Sequence, residues 1–426
     1  MNKNRQLLNI DYEKYTLKNG LEVILFEDNS LPLVSVNLWY RVGSAHEKPG
    51  KTGFAHLFEH MMFQGSENVE KEKHFRYIQE AGGSLNGSTS IDRTNYYETL
   101  PNNNLDLALW LESDRMGFML EGLTREKLDN QKDVVMNERR QRYENQPYGM
   151  AWELLFSNLF NPDFPYHWPT IGWMDDIKKF ELEDVKEFFK TFYSPNNASL
   201  VIAGKLSKAE VIASVEKYFG DIKSSASTNS LNFAMPVLSE NKFIQHEDNV
   251  QLSRLYLAWL SDKIYGEDDP DLDVLSDILG SSKNSRLYKA LVHDKQIAQD
   301  VSCFQYSAKL SGMFIIVVTA REGVELKEIK NIINDEIKSL IREGVNQDEL
   351  IRTLNGIKSS FLYSLQNIER LANQINAYNF YLGEPNSFNY DLDRYDKVTG
   401  ESIVETAKKY LLSNNVELHI VPKKKN

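Results

Sequence analysis

The chain has a single cysteine, Cys303, in 426 residues, which excludes an intrachain disulfide and a thiolate metal cluster. A lone cysteine of this kind is expected to behave as a small buried hydrophobic residue. Long apolar runs are also absent: the longest, from Met313 to Thr319, is far shorter than the roughly 20 residues that span a bilayer. Basic residues are in deficit, since 49 Lys and Arg against 61 Asp and Glu give a net charge of −12. This sign opposes binding to nucleic acid phosphates or to an anionic membrane, so neither partner is expected.

The N-terminus has a basic start but lacks the apolar core of about 7–15 residues that is typical of a secretory signal. We therefore expect a cytoplasmic protein as the sequence is given, or a periplasmic one if a signal has been removed. Hydrophobic content of 41% and charged content of 26% are typical of soluble globular chains. The length predicts two or three domains, each large enough for its own core.

Strand-like and helical patterns alternate along the chain, which favours an α+β fold. The Ser- and Asn-rich run at 223–232 is typical of a linker and predicts domains at 1–222 and 233–426. A helix, an Asn-Asn turn and a strand at 185–202 recur at 403–420. The sequence therefore predicts two similar domains in tandem, although short matches of this kind also arise between unrelated αβ units.

The segment AHLFEHMMF carries the clearest chemical signal. His56 and His60 are four residues apart on a predicted helix and Glu59 is three after His56, so all three share one face. Two imidazoles and a carboxylate suit zinc, and a third protein ligand would leave the fourth position for water. The alternative, a solvated polar face, is disfavoured because the flanking residues are Phe, Leu and Met, and polar groups on a mostly buried helix need a partner. The pattern therefore predicts a metal site.

A third ligand is expected from another helix, and the stretch that begins at Val134 offers Glu138 among several arginines. Spacing alone does not separate Glu138 from Glu144, or from a partner in a surface salt bridge. The strand-like segment 84–91 has alternating small and polar residues. Such a strand suits an edge that pairs with extended peptide, and it equally fits an ordinary strand with a glycine at a bend.

The order HxxEH and its surroundings resemble the pitrilysin/insulinase family of zinc metallopeptidases, which includes the mitochondrial processing peptidases and their bacterial relatives. The resemblance covers most of residues 15–220, and residues 232–426 only through the repeat and one short motif. The matching segments are Tyr40–Ser44, Gly53–Phe63, Gly65-Ser66, Asn86, Thr94–Tyr97, Leu111–Met116, Val134–Glu138 and Ser285–Tyr288.

The resemblance implies a metallohydrolase fold of two similar domains, each a mainly antiparallel sheet with helices packed on it. It also implies one zinc ion per chain, bound by His56, His60 and Glu138, with Glu59 as the general base and a second domain without metal ligands. The residues expected to contact substrate are Phe63, Asn86, Gly87 and Ser88. Gln131, seven before Glu138, stands where many relatives carry a glutamate that supports the ligands, so this chain would offer a neutral amide there.

The activity implied is zinc-dependent endopeptidase action on peptides or unfolded polypeptides. Larger relatives enclose substrate between four domains and contribute an Arg and a Tyr from their second half. The corresponding strand SGMFIIVVTA contains no Arg, and Arg321 lies just past its end. We therefore expect a homodimer, or a heterodimer with a metal-free family partner. The alternatives are a structural or partner subunit with little activity of its own, and a hydrolase that acts on something other than peptides.

Overall fold

The computed structural model of the chain describes residues 8–226 and 231–423. Residues 227–230 of the predicted linker lie outside this description. The strands are β1 Tyr12–Thr16, β2 Glu22–Glu27, β3 Leu33–Tyr40, β4 Ser84–Thr89, β5 Thr94–Pro101, β6 Ala198–Gly204, β7 Lys242–Asp248, β8 Arg254–Ser261, β9 Ala298–Ser307, β10 Gly312–Ala320 and β11 Asn415–Pro422.

The helices are α1 Phe54–Met61, α2 Lys73–Glu80, α3 Leu105–Phe118, α4 Arg125–Arg139, α5 Ala151–Leu159, α6 Met174–Lys178, α7 Leu182–Phe192, α8 Lys208–Phe219, α9 Asp269–Ser276, α10 Leu326–Glu343, α11 Gln347–Ser364, α12 Ile368–Leu382, α13 Phe388–Asp396 and α14 Gly400–Leu411. Within the described ranges no helix is both long and apolar enough to cross a membrane.

The chain folds into two compact units, each assembled from three segments. Among the described residues, the first contains 8–139, those between 168 and 232, and 362–389, and the second contains 140–167, 233–361 and 390–423. The units depart from the predicted contiguous boundaries at two places, because 140–167 belongs to the second unit and 362–389 to the first. Each segment belongs to the unit against which it packs, and the composition of the linker gives no information about that packing.

The first unit is built on a six-stranded sheet in the order β1-β2-β6-β3-β5-β4. The pair β2–β6 is parallel and the other neighbours are antiparallel. The central strands β3 and β6 are almost entirely buried, as expected for apolar strands covered on both faces. β4 has a neighbour on one side only, so it forms an edge of the sheet.

The helix α12 packs on the same sheet although it comes from late in the sequence. Asn376 on this helix is fully buried. Its Nδ2 donates to the Asn37 carbonyl oxygen at 2.8 Å, and its Oδ1 accepts from Ser199 Oγ at 2.5 Å. These bonds satisfy the buried amide and anchor α12 to β3 and β6.

The second unit has a five-stranded sheet in the order β7-β11-β8-β10-β9. Its last strand, β11, pairs parallel with β7 and antiparallel with β8, just as β6 pairs with β2 and β3 in the first unit. The helix–strand pairs α7–β6 and α14–β11 therefore occupy matching places. The predicted α+β repeat is confirmed. Cys303 lies in the core of this unit at 2% exposure, where burial raises the pKa of its thiol.

Candidate metal centre

The helix α1 divides into an apolar face and a polar face. Phe54, Leu57, Phe58 and neighbouring apolar residues are buried in the first unit, and the ring of Phe54 stacks on Phe180 with 3.9 Å between centroids. His56, Glu59 and His60 lie on the partly exposed side. The helical period of 3.6 residues places these polar groups together, as the spacing predicts.

The start of α1 is held by a buried carboxylate. Glu47 accepts hydrogen bonds from the backbone N–H groups of Gly53 and Ala55, both at 2.8 Å. These donors have no partner within the helix, and a negative group at this end also meets the favourable pole of the helix dipole. Burial nevertheless raises the pKa of Glu47 to about 8, although the two backbone hydrogen bonds act to lower it.

Two glycines allow the segment before α1 to touch the loop that precedes α6. Gly53 has φ +96° and Gly172 has φ +81°, both in the left-handed region. A Cβ on Gly172 would lie 2.4 Å from the Gly53 Cα, so a larger residue cannot fit there. Asp176, in α6, accepts from Thr52 N at 3.2 Å and from Thr52 Oγ1 at 2.8 Å. Together these contacts fix where α1 begins.

Three candidate ligands converge between α1 and α4. Glu138 Oε2 lies 3.7 Å from His56 Nε2 and 3.3 Å from His60 Nε2, and the donor atoms of the three side chains lie within 4.8 Å of one another. Ligands at about 2.0–2.2 Å from a tetrahedral zinc ion are themselves separated by about 3.3–3.6 Å. The spacing and the His₂Glu donor set therefore fit a zinc ion with an open fourth position.

The other acidic candidate does not join this group. Glu144 is exposed in the π-helical turn Arg140–Glu144, which follows the end of α4. Gln131 is buried on α4, two turns before Glu138, and its Nε2 donates to Asn130 Oδ1 at 3.0 Å. The supporting role implied for Gln131 stays a prediction.

The fourth polar residue of the group, Glu59, lies against the edge strand β4. Glu59 Oε2 accepts a hydrogen bond from Thr89 Oγ1 at 2.6 Å. The pKa of Glu59 is raised above its usual value because the side chain is largely buried. The hydrogen bond from Thr89 reduces that rise. A Cβ on Gly87 would lie 3.1 Å from Glu59 Cγ and 3.3 Å from Phe63 Cε2. The small residue at 87 thus leaves room for the carboxylate and for the Phe63 ring.

The side chains expected to contact substrate divide between the two faces of β4. Gly87 and Phe63 are on the Glu59 side, where Phe63 packs on Phe75 with centroids 4.6 Å apart. Along β4, Asn86 and Ser88 alternate with Gly87 and therefore point to the opposite face of the sheet. Asn86 Oδ1 accepts from Gly87 N at 2.9 Å, and Ser88 Oγ donates to Asn95 Oδ1 at 2.6 Å. Their roles in substrate binding stay predictions.

A second cluster of possible ligand atoms lies deeper in the first unit. His74, Glu98 and Glu112 are all buried within 4.8 Å of one another. Here Arg115 already supplies the positive charge, since its guanidinium is hydrogen-bonded to Glu112 and His74 Nε2 lies 3.2 Å from Glu98 Oε1. Burial and the nearby guanidinium lower the pKa of His74 well below its usual value. His74 is therefore a paired core histidine.

Sequence reasoning did not single out Glu47 or Thr89. The position of Thr89 could have been predicted, because side chains alternate along a strand and residues 87 and 89 therefore share a face. Glu47 offered no comparable signal, since an acidic residue in a polar loop is normally solvated.

Two family models match the chain. The model described as insulinase, peptidase family M16, matches residues 22–163, and the model described as the peptidase M16 inactive domain matches residues 179–357. The first match contains the converging side chains of α1 and α4. The two matches together span most of the chain.

Named relatives and a solved structure agree with these models. The chain is 30% identical over 371 residues to the zinc protease PqqE of Helicobacter pylori, covering 85% of this chain and 82% of that protein. It is 25% identical over 420 residues to the probable mitochondrial-processing peptidase subunit beta of Arabidopsis thaliana, covering 95% and 77%. A crystal structure of a protease from Helicobacter pylori matches with a TM-score of 0.91 at 25% identity, covering 97% of this chain and 100% of that one. On these matches, the chain belongs to the insulinase (pitrilysin) family, peptidase family M16.

Proposed function

We propose that this chain is a zinc-dependent endopeptidase that hydrolyses peptides or unfolded polypeptides. The observation that carries the proposal is the convergence of His56, His60 and Glu138, with Glu59 beside them and against an open sheet edge. Relatives of the chain are named zinc proteases, which supports the same reaction.

The ligands and the base have separate tasks in this proposal. His56, His60 and Glu138 would hold a zinc ion, which would supply a Lewis acid for the scissile carbonyl and for the attacking water. Glu59 takes a proton from the attacking water and passes it to the leaving amine nitrogen. The hydroxyl of Thr89 keeps the Glu59 carboxylate turned towards β4.

The edge strand β4 provides the binding surface. An extended peptide can add to this edge through main-chain hydrogen bonds, which makes binding tolerant of sequence. Because β4 also carries Gly87 and Thr89, a peptide paired with it lies beside Glu59. This arrangement selects extended, unfolded chains over folded proteins.

The test combines metal analysis with cleavage of an unstructured peptide. Glu59→Gln removes a base and no ligand, so we expect it to keep one zinc ion per chain and to lose hydrolysis. Glu67→Gln, an exposed change of the same kind, serves as the control. Full metal content with undiminished cleavage in Glu59→Gln would remove Glu59 from the mechanism.

The alternative is a structural or partner subunit of the family with little activity of its own. The match of residues 179–357 to a model described as an inactive domain is compatible with it. The convergence of His56, His60 and Glu138, with Glu59 beside them, favours the peptidase, because a subunit without activity needs neither the candidate ligands nor the base. Wild-type protein that binds zinc and cleaves no peptide, alone or with a partner, would favour the alternative.

We also propose that the active form is a dimer, with either a second copy or a metal-free family partner. The second half lacks an Arg in β10, and Arg321 directs its Nε to the Ala298 carbonyl oxygen at 3.3 Å. Another chain would then supply the missing substrate contacts and exclude water from the site. Sedimentation combined with peptide cleavage tests this, and a fully active monomer at nanomolar dilution would contradict it.

A further inference from the structure

A polar cavity lies beside β4, on the face of the sheet that carries Ser88. It has a volume of about 310 Å³ and is lined by residues of β3, β4, β5 and α12, by the turn between β4 and β5, and by the end of α11. We call it the α12 cavity and define it by Asn37, Ser88, Arg93, Asn95, Arg370 and Asn373. The strand alternation places it on the opposite face from Gly87, Thr89 and Glu59.

The amide oxygens of Asn95 and Asn373 in this cavity already accept internal hydrogen bonds. Asn95 Oδ1 accepts from Ser88 Oγ at 2.6 Å and from Arg93 Nη1 at 3.0 Å. Asn373 Oδ1 accepts from Trp39 Nε1 at 3.2 Å and from Asn95 Nδ2 at 3.3 Å. These oxygens are therefore occupied before any ligand arrives.

Of the donors in the lining, the Arg370 guanidinium is exposed and available to a ligand, whereas the Asn37 amide is buried in the wall. Asn37 is fully buried in the cavity wall and its Oδ1 accepts from Asn376 at 3.2 Å, but its Nδ2 has no hydrogen-bond partner among the described residues. Arg370 is exposed at the rim, and within the described ranges its guanidinium forms no ion pair or hydrogen bond.

The charged side chains that line the cavity carry a net positive charge, which also favours an acidic ligand. Two guanidinium groups, of Arg93 and Arg370, face one carboxylate, that of Glu369. Glu369 Oε2 accepts from Thr99 Oγ1 at 3.4 Å. α12 begins at Ile368, so the positive end of its dipole adds to the field at this site. A carboxylate oxygen meets these donors better than an ammonium group does.

A peptide strand paired with β4 would deliver side chains to this cavity. Side chains directly opposite each other in neighbouring strands have Cβ atoms about 4.5–5.5 Å apart, and every second one points to the same face. One such side chain would lie beside Ser88. We propose that the α12 cavity is a subsite for an Asp or Glu side chain of the peptide substrate, an inference that rests on the proposed peptidase function.

The test measures charge preference at single positions of a short unstructured peptide. One Glu is moved along the peptide, and each version is compared with Gln and Lys at the same place. We expect Glu to be favoured over Lys about three- to fivefold, the upper range for a partly exposed ion pair, at alternate positions only. Arg370→Glu should reverse that ratio. Lys190→Glu, an equal charge change at an exposed position on α7, should leave it unchanged.

For each peptide, two quantities are measured. One is the rate of cleavage by the zinc-loaded protein, and the other is the equilibrium binding affinity for the Glu59→Gln variant. Equal Glu-to-Lys ratios in wild type and Arg370→Glu at every position would overturn the subsite while leaving the peptidase proposal intact. A ratio that reverses in binding, in a protein that cleaves none of the peptides, would support the subsite and refute the peptidase. Absence of both binding and cleavage would overturn both.

Discussion

The hydrogen bond between Thr89 and Glu59 offers a sharp test of how the proposed base is positioned. Thr89 Oγ1 donates to Glu59 Oε2 at 2.6 Å, from a strand to a helix. Thr89→Val keeps the branched shape and the strand preference of residue 89 while it removes the hydroxyl. Since Thr89 is not one of the converging metal ligands, the substitution should leave zinc content unchanged.

The expected loss follows from the kind of bond removed. A hydrogen bond to a charged group contributes about 1.5–3 kcal/mol, and each 1.4 kcal/mol corresponds to about tenfold in rate. If the whole bond serves to orient Glu59 for proton transfer, kcat should fall about 10- to 150-fold. KM should change much less, because peptide pairing with β4 uses main-chain groups.

The assay is steady-state cleavage of one unstructured peptide, with zinc measured on the same samples. Thr191→Val is the matched control, because Thr191 is exposed on α7 and its hydroxyl donates to the Glu187 carbonyl oxygen at 2.7 Å. A Thr89→Val enzyme with wild-type kcat would refute the positioning role. A fall in kcat that follows a loss of zinc would refute the separation of base from ligands.

Two further substitutions test the ligands and the space around the base. Glu138→Ala should lose zinc at modest chelator concentrations while Glu144→Ala keeps it, because two histidines alone bind zinc far more weakly than three ligands. Equal metal retention in both would refute Glu138 as the third ligand. Gly87→Ala would bring a methyl group to 3.1 Å from Glu59 Cγ, so we expect a severalfold lower kcat with zinc retained. An unchanged rate would show that Glu59 and Phe63 move aside freely.

The arrangement of His56, Glu59 and His60 could be predicted from spacing because all three belong to one helix. Within α1 the backbone fixes which side chains share a face, and the apolar residues between them fix which face is buried. The third group was different, since spacing in sequence does not say which helix packs beside α1. The choice between Glu138 and Glu144 becomes visible only in the structure, where α4 ends at Arg139 and leaves Glu144 exposed.

The placement of α12 shows a limit of a different kind. From the sequence alone, Asn376 and Asn379 would be expected to face solvent, because Asn is mostly exposed in folded proteins. In the structure Asn376 is fully buried and hydrogen-bonded to Asn37 and Ser199. A polar residue is buried where its partners are, and those partners lie more than 170 positions away in the chain. Local sequence patterns therefore do not report the sheet on which this helix packs.

The alternation of side chains along β4 places the proposed base and the proposed subsite on opposite faces of the sheet. Residues 87 and 89 meet Glu59, whereas residue 88 faces the α12 cavity, so a single strand serves both faces of the sheet. The Thr89–Glu59 bond and the Arg370 guanidinium share no hydrogen-bond partner. Substitutions without shared partners usually have additive effects. A change at Thr89 should therefore lower the rate for Glu and Lys peptides alike, and a change at Arg370 should alter their ratio, so that the double variant shows the product of the two effects.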